Sequence, residues 1–331
     1  MCGICGYLAD EQARPSVESI VERFLSIESR GSDASGFSAS VDGRLWRLRA
    51  PVPAHVLAQY KKSRTLLVDQ ASAWIGHTRL ATRGLASNNE NNHPFMGSGL
   101  SLVHNGIICD YAKQAEHLKP DLQGECDSEL ILRLIQRGLD RGGSVTSSIQ
   151  MMARKLDGDM ACALISRDGQ LWVWRRELSG FSTPLWLALQ AGVQAVHFAS
   201  TGHCLEGSLP NSKAWDLVSL PNLSGARFWL KGGQLQSKKF TLAASQQSVW
   251  GPWNDEWEEA LSQYVYSAPG AYKKKVYKER EAKRGWAGNV LPLGVRADAL
   301  YVCEECDEWF MPEEVFDHKV DYKHYTFREE L

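Results

Sequence analysis

Hydrophobic and polar positions alternate with strand-like period over three stretches of the chain, each broken by a pair of turn-forming residues. Phe37 to Arg49 alternates around Asp42-Gly43, Ala161 to Arg175 around Asp168-Gly169, and Arg227 to Phe240 around Gly232-Gly233. Asp-Gly and Gly-Gly tolerate the positive φ that a tight hairpin demands, so all three read as β-hairpins. Between them the apolar period lengthens to that of a helix. Val17, Ile20, Val21, Phe24, Leu25 and Ile27 fall mostly on one face of Ser16 to Ser29. Leu130, Ile131, Leu134 and Ile135 do so within Ser128 to Leu139, and Val145, Ile149, Met152 and Leu156 within Ser144 to Leu156. Hairpin strands with interspersed helices predict antiparallel sheets covered by helices, an α+β arrangement, and argue against a parallel sheet.

The chain has 331 residues, 44% of them hydrophobic and 23% charged, enough for one large domain and a small module. A net charge of −2 gives no global case for nucleic-acid binding. No run approaches the ~20 apolar residues of a membrane span, and no charged, apolar leader precedes Cys2. Eight cysteines, widely spread, suit a reducing compartment better than a disulfide scaffold, and a cytoplasmic protein is expected.

The N-terminal sequence Met1-Cys2-Gly3-Ile4 makes Cys2 the terminal residue once the initiator is removed. A terminal cysteine joins nucleophile and base: its thiol attacks a carbonyl, and its α-amine, with a reference pKa near ~8, carries the proton. Several polar clusters sit where strands or helices are expected to meet. They are Arg30-Gly31-Ser32-Asp33, Gly76-His77-Thr78-Arg79-Leu80-Ala81-Thr82-Arg83-Gly84, Asn92-His93-Pro94-Phe95, His104-Asn105-Gly106 after the strand Leu100 to Val103, and Cys126-Asp127-Ser128-Glu129.

In this order, behind a terminal Cys-Gly-Ile, these motifs resemble the glutaminase domain of class II glutamine amidotransferases. The likeness is closest to the domain found in glucosamine-6-phosphate synthase and covers roughly residues 2–240. It implies a four-layer α/β/β/α N-terminal-nucleophile hydrolase sandwich. It also implies that Cys2 attacks the side-chain amide of L-glutamine, with Asn105 and Gly106 donating to the oxyanion. Arg79 would bind the α-carboxylate, which suits a planar bidentate fork, and Asp127 the α-ammonium. Thr82 would orient the substrate, and Arg30 and Asp33 would shape the pocket around the nucleophile. Glutaminase chemistry of this kind needs no cofactor. Taken singly, Arg79 also fits a surface arginine, Asp127 a helix N-cap, and Asn105-Gly106 a type I′ turn. His77, His93 and His104 read as structural hydrogen-bonding residues, because the terminal amine already fills the base role. Cys5, Cys109, Cys126, Cys162 and Cys204 read as packing residues. Leu80 stands where the family usually has an aromatic residue, and Arg83 where histidine is frequent.

Character changes near residue 245, dividing the chain into residues 2–245, a Trp-rich and basic linker over 246–295, and an acidic module over 296–331. Nothing after residue 245 resembles the synthase, phosphoribosyltransferase or synthetase domains of sister enzymes, so the acceptor of the ammonia is expected on a partner protein. Cys303, Cys306, His318 and His324 follow a C-x2-C-x11-H-x5-H spacing close to that of a zinc finger, and predict a structural zinc. The last 31 residues carry ten acidic side chains against three basic ones, a net of −7. That charge argues for protein docking and against a phosphate backbone. Two rival functions follow from the same residues: a hydrolase of other γ-glutamyl amides, and a non-catalytic regulatory protein retaining the fold.

Overall fold

The structure is a computed structural model that describes residues 2–60, 70–109, 111–118, 120–178 and 183–242, and three short strands beyond them. It divides into two compact units, the first running to Gln246 and the second from Gln247 to Phe327. The first unit begins with β1 (Gly3–Ala9), α1 (Val17–Ser26), β2 (Ala34–Val41), β3 (Arg44–Ala50), α2 (Ala54–Leu57) and β4 (Ala73–Arg79). It continues with β5 (Phe95–Gly97), β6 (Leu100–Ile108), α3 (Tyr111–Leu118), α4 (Asp127–Asp140), α5 (Val145–Lys155), β7 (Gly158–Ser166) and β8 (Leu171–Arg176). It closes with β9 (Trp186–Leu189), β10 (Ala195–Ala199), α6 (Gly202–Glu206), β11 (Asp216–Ser219), β12 (Ser224–Lys231) and β13 (Gln234–Thr241). No helix of the described residues is long and apolar enough to cross a membrane.

These strands build two antiparallel sheets, ordered β11-β9-β10-β1-β4-β2-β3 and β13-β12-β8-β7-β6-β5. The three hairpins expected from the turn residues are present. Asp42 and Gly43 have φ of 48° and 76°, and Gly232 and Gly233 have 58° and 76°, as a primed two-residue turn requires. Two of the expected helices start at polar caps: Ser16 accepts from the Ser19 amide before α1, and Ser144 from the Ser147 amide before α5.

Period-two alternation sorts the strand residues into two faces per sheet. Ile4, Leu8, Ile75 and Phe198 of the first sheet meet Val103, Ala163, Ile165 and Val173 of the second in a dry inter-sheet core. The opposite face of the second sheet, with Leu102, Met160, Leu164 and Trp174, packs against Leu130, Ile131 and Leu134 of α4 and Ile149 and Met152 of α5. The opposite face of the first sheet carries Trp74, whose ring lies 5.8 Å from both Phe24 of α1 and Phe37 of β2. The result is a four-layer α/β/β/α sandwich.

Two motif placements differ from expectation. Gly76 to Arg79 lie inside β4, and His104-Asn105-Gly106 lies inside β6, which runs on to Ile108. Gly106 is therefore not a turn. It keeps its ladder partner, Met160, at a φ of 153°, a conformation glycine adopts without strain.

In the second unit β14 (Tyr301–Cys303), β15 (Trp309–Phe310) and β16 (Tyr325–Phe327) form an antiparallel sheet with β14 in the centre. Cys303 ends β14. Cys306, His318 and His324, like the linker over 246–295, lie outside the described residues.

Candidate active site

The site lies where β1, β4 and β6 converge. Antiparallel pairing sets Gly3 opposite Thr78 and Ile4 opposite His77, so Cys2, just before β1, falls beside Arg79 at the end of β4. Gly3 has to be small here, since a Cβ would come within 2.7 Å of Ile27 and Thr78. The Cys2 thiol is partly buried and lies 3.7 Å from the Leu80 carbonyl oxygen. Desolvation pushes this thiol up from its ordinary value; the Leu80 carbonyl contact and the Arg79 guanidinium pull it back, and Asp127 adds to the rise. Both Arg79 and Asp127 are thus within electrostatic reach of the sulfur.

Residues 30–33 brace the nucleophile. Arg30 donates from Nε to the Cys2 carbonyl at 2.8 Å, and Asp33 accepts from the Ala81 amide at 2.8 Å. The Asp33 amide donates to the Arg79 carbonyl at 2.9 Å. Gly31 packs so closely on this segment that a Cβ would stand 2.4 Å from the Arg79 carbonyl carbon. Arg30 and Asp33 thus hold the backbone on either side of the nucleophile, at Cys2 and Ala81.

Arg79 is buried and grips its own following loop. Its two amino groups donate to Asn92 Oδ1 at 2.9 Å, to the Gly84 carbonyl at 3.0 Å and to the Arg83 carbonyl. Its Nε edge has no hydrogen-bond partner among the described residues, and no carboxylate pairs with it. A buried guanidinium bonded only to neutral acceptors retains charge for an anion. Asn92 is fixed in turn by donating to the Ala86 carbonyl at 2.7 Å. Thr82 is exposed in the same loop.

Across the interior, Asn105 continues the inter-sheet face of β6 that Val103 begins. Its side chain is buried, and its Nδ2 has no hydrogen-bond partner among the described residues. Such an orphaned donor calls for an explanation. Gly106 follows it, and a Cβ at 106 would stand 2.0 Å from the Asp159 carbonyl oxygen. Asp127 is the first residue of α4, not its cap, which is Cys126. Its Oδ2 accepts from the Ile108 amide at 2.8 Å, tying the helix start to the end of β6.

Burial disfavours the charged form of the histidines around the site. His77 Nε2 lies 3.0 Å from the His104 carbonyl, a bond that joins the two sheets. Burial brings His77 down to about 3 and His93 well below its ordinary value, and lowers His104 as well. His93 stacks on His77 at 3.8 Å, and neither of its ring nitrogens has a hydrogen-bond partner among the described residues. Packing therefore holds His93, where hydrogen bonding was expected. Cys5, Cys126, Cys162 and Cys204 are buried thiols and Cys109 is half-buried. Asn92 and Ser128 stand inside two of the quoted motifs, yet nothing in their residue type marked the contacts they make.

The thiol thus stands at the sheet end within electrostatic reach of Arg79 and Asp127, and the buried Asn105 Nδ2 has no hydrogen-bond partner among the described residues. Residues 77–207 match the glutamine amidotransferase domain family. Glutamine–fructose-6-phosphate aminotransferase (isomerizing) of Chlamydia trachomatis is 35% identical over 172 residues, 51% of this chain and 27% of that protein. Its counterpart in Bartonella henselae is 37% identical over 168 residues, 50% of this chain and 26% of that protein. The chain thus spans about a quarter of the length of these relatives. In fold it is similar to the glutamine phosphoribosylpyrophosphate amidotransferase of Bacillus subtilis, with a TM-score of 0.57 at 18% identity, covering 73% of this chain and 50% of that one. A second structure, of the allosteric regulatory enzyme of purine biosynthesis, gives a TM-score of 0.59 at 18% identity, over 73% of this chain and 50% of its own. The first unit has the N-terminal-nucleophile hydrolase fold. More narrowly, the chain carries a class II glutamine amidotransferase domain, homologous to the glutaminase domain of the aminotransferases above.

Proposed function

We propose that this domain hydrolyses free L-glutamine to glutamate and delivers the ammonia to an acceptor on a partner protein. The observation that carries this reading is the orphaned Asn105 amide beside Gly106, on the interior face that Cys2 and Arg79 also border. With Met1 removed, the Cys2 amine takes the thiol proton, and the sulfur attacks the side-chain amide carbon. The negative charge that develops on the amide oxygen falls to the Asn105 Nδ2 and Gly106 N–H donors, each contributing ~3–4 kcal/mol in the transition state. Collapse breaks the C–N bond, and the amine returns its proton to the leaving nitrogen, releasing ammonia and leaving a γ-glutamyl thioester. Water then attacks the thioester carbonyl and gives up a proton through the same amine, yielding glutamate and the free thiol.

Arg79 would hold the α-carboxylate through its Nε edge, and Asp127 the α-ammonium through Oδ1. An end-blocked glutamine would leave one of these charges buried and unpaired, which favours the free amino acid over γ-glutamyl peptides. Thr82 would contribute only if its loop closes on the substrate; Arg30 and Asp33 would act through the Cys2 and Ala81 backbone. A nucleophile that must remain a thiol fits a reducing cytoplasm. The cysteine and histidine spacing of the second unit stands as a separate proposal of a structural zinc, decided by metal analysis of the purified protein.

The test is glutamate release from L-glutamine by the purified chain, its mass establishing Met1 removal, beside Cys2→Ala. Release that disappears in the variant supports the reading. Equal release from both proteins would overturn it, and release only from γ-glutamyl peptides would move the assignment to the rival hydrolase.

A further inference from the structure

We infer that Ser128 is a positioning residue for the oxyanion donors, acting through the ring of His104. The inference rests on the glutaminase reading above and adds a residue that the reading does not use.

His104 immediately precedes Asn105 and is held at three points. Its carbonyl accepts from His77 Nε2 at 3.0 Å, its ring Nε2 lies 3.4 Å from the Asp159 carbonyl, and its ring Nδ1 lies 2.8 Å from Ser128 Oγ. The chemistry of these partners fixes the protons. A carbonyl only accepts, so Nε2 carries the ring hydrogen. Burial keeps the ring neutral, so Nδ1 offers a lone pair and the Ser128 hydroxyl is the donor. The same hydroxyl stands 3.4 Å from Asp127 Oδ1. One proton serves one acceptor, and the shorter contact takes it. Asp127 Oδ1 then keeps only the weak contact of the Cys126 thiol, at 3.8 Å.

The ring matters because of what it touches. A Cβ placed on Gly106 would fall 2.7 Å from His104 Nε2, so the imidazole packs directly against the Gly106 backbone. Ser128 sets the ring, and the ring sets the strand that presents the Asn105 amide and the Gly106 N–H. Helix α4 therefore carries Asp127, a ground-state binding group, one residue before Ser128, a group that acts on the transition state.

The test compares the full-length protein with Ser128→Ala and Ser128→Thr, using steady-state glutaminase kinetics and long-range spectra of 15N-histidine-labelled protein. His104→Asn identifies the His104 signals by their loss. Ser128→Ala is expected to lower kcat about tenfold while KM stays within about twofold, and the threonine hydroxyl restores kcat. The wild-type spectrum is expected to place the His104 proton on Nε2, with the Nδ1 signal moving in the alanine variant. A raised KM at unchanged kcat would overturn the inference, because Ser128 would then act through Asp127. An unchanged kcat, or a wild-type His104 protonated on Nδ1, would overturn it equally. A wild-type chain that releases no glutamate would fail the glutaminase reading instead. The spectra would then decide the Ser128–His104 contact alone: the Nε2-protonated ring upholds it, the Nδ1-protonated ring overturns it.

Discussion

The Gly106 Cα faces the Asp159 carbonyl oxygen so closely that a Cβ would stand 2.0 Å from it. The contact crosses from β6 to β7, whose pairing runs unbroken through Gly106 and Met160. Backbone on both sides leaves nothing flexible to yield. Gly106→Ala therefore has to shift the strand, and it also meets a φ of 153° that L-residues avoid. The expected outcome is glutaminase activity reduced by at least about a hundredfold, the scale of losing one oxyanion donor. Thermal unfolding should shift down as well. Normal turnover in the alanine variant would mean that Gly106 does not face the reacting carbonyl.

Arg79 makes three hydrogen bonds from its two amino groups, to Asn92 and to the carbonyls of Arg83 and Gly84, and keeps its Nε edge open. Lysine carries the same charge but cannot hold the loop and a carboxylate in two directions at once. Arg79→Lys is expected to raise KM for L-glutamine by about ten- to a hundredfold, with a smaller effect on kcat. Asn92→Ala removes the anchor of the guanidinium together with the bonds to the Ala86 carbonyl and Asn89 Oδ1, leaves the Arg79 charge in place, and should raise KM less. Initial rates over a range of glutamine concentrations measure both. If Arg79→Lys left KM unchanged, Arg79 would be a scaffold for the loop and the carboxylate would bind elsewhere.

Much of this arrangement was legible in the chain because it is local. Asp42-Gly43 and Gly232-Gly233 announce their hairpins through the φ they must adopt, and Ser16 and Ser144 announce helices through their caps. The site residues emerged from five short motifs in order, not from any one of them. What was not legible is what depends on contacts between distant segments. Glycine after asparagine reads as a turn, and only the neighbouring β7 ladder keeps Gly106 in β6. The pairing of β1 with β10, 196 residues away at the bond between Ile4 and Ser200, leaves no local mark at all. The same holds for Asn92, which is one asparagine among several until the loop folds it onto Arg79.

Trp74 anchors the outer face of the first sheet. It is 1% exposed, stacks on Phe37 at 5.8 Å and meets Phe24 of α1 edge-on at the same distance. Gly76, two residues on, is shaped to it, since a Cβ there would come within 2.4 Å of the indole. Trp74→Ala removes the largest side chain of this layer, and the rigid strands around it cannot collapse into the space. A loss of ~3–5 kcal/mol is expected in urea unfolding. Because β4 also carries Arg79, activity should fall in the fraction of chains still folded. A loss below about 1 kcal/mol would mean that α1 repacks onto the sheet.

The buried imidazoles make stability depend on pH. Desolvation lowers His77 to about 3, against the pull of its bond to the His104 carbonyl. It places His93 and His197 well below their ordinary value, with the Arg23 charge adding to the effect at His197. In the unfolded chain each of these rings takes up a proton as pH falls through ~6.5. The folded chain does not protonate His77 until about 3. Between those values the unfolded state holds more protons, so stability is complete above ~6.5 and is lost as pH falls. Each such ring contributes a slope of up to ~1.4 kcal/mol per pH unit, and several together should be plain in a comparison of pH 7.5 with pH 5. The urea midpoint is expected to be lower at pH 5, over a range in which most exposed carboxylates remain ionised. Replacing His197, which Arg23 contacts at 2.7 Å, by glutamine should make that dependence shallower. An equal midpoint at both pH values would mean that these rings take up protons inside the fold.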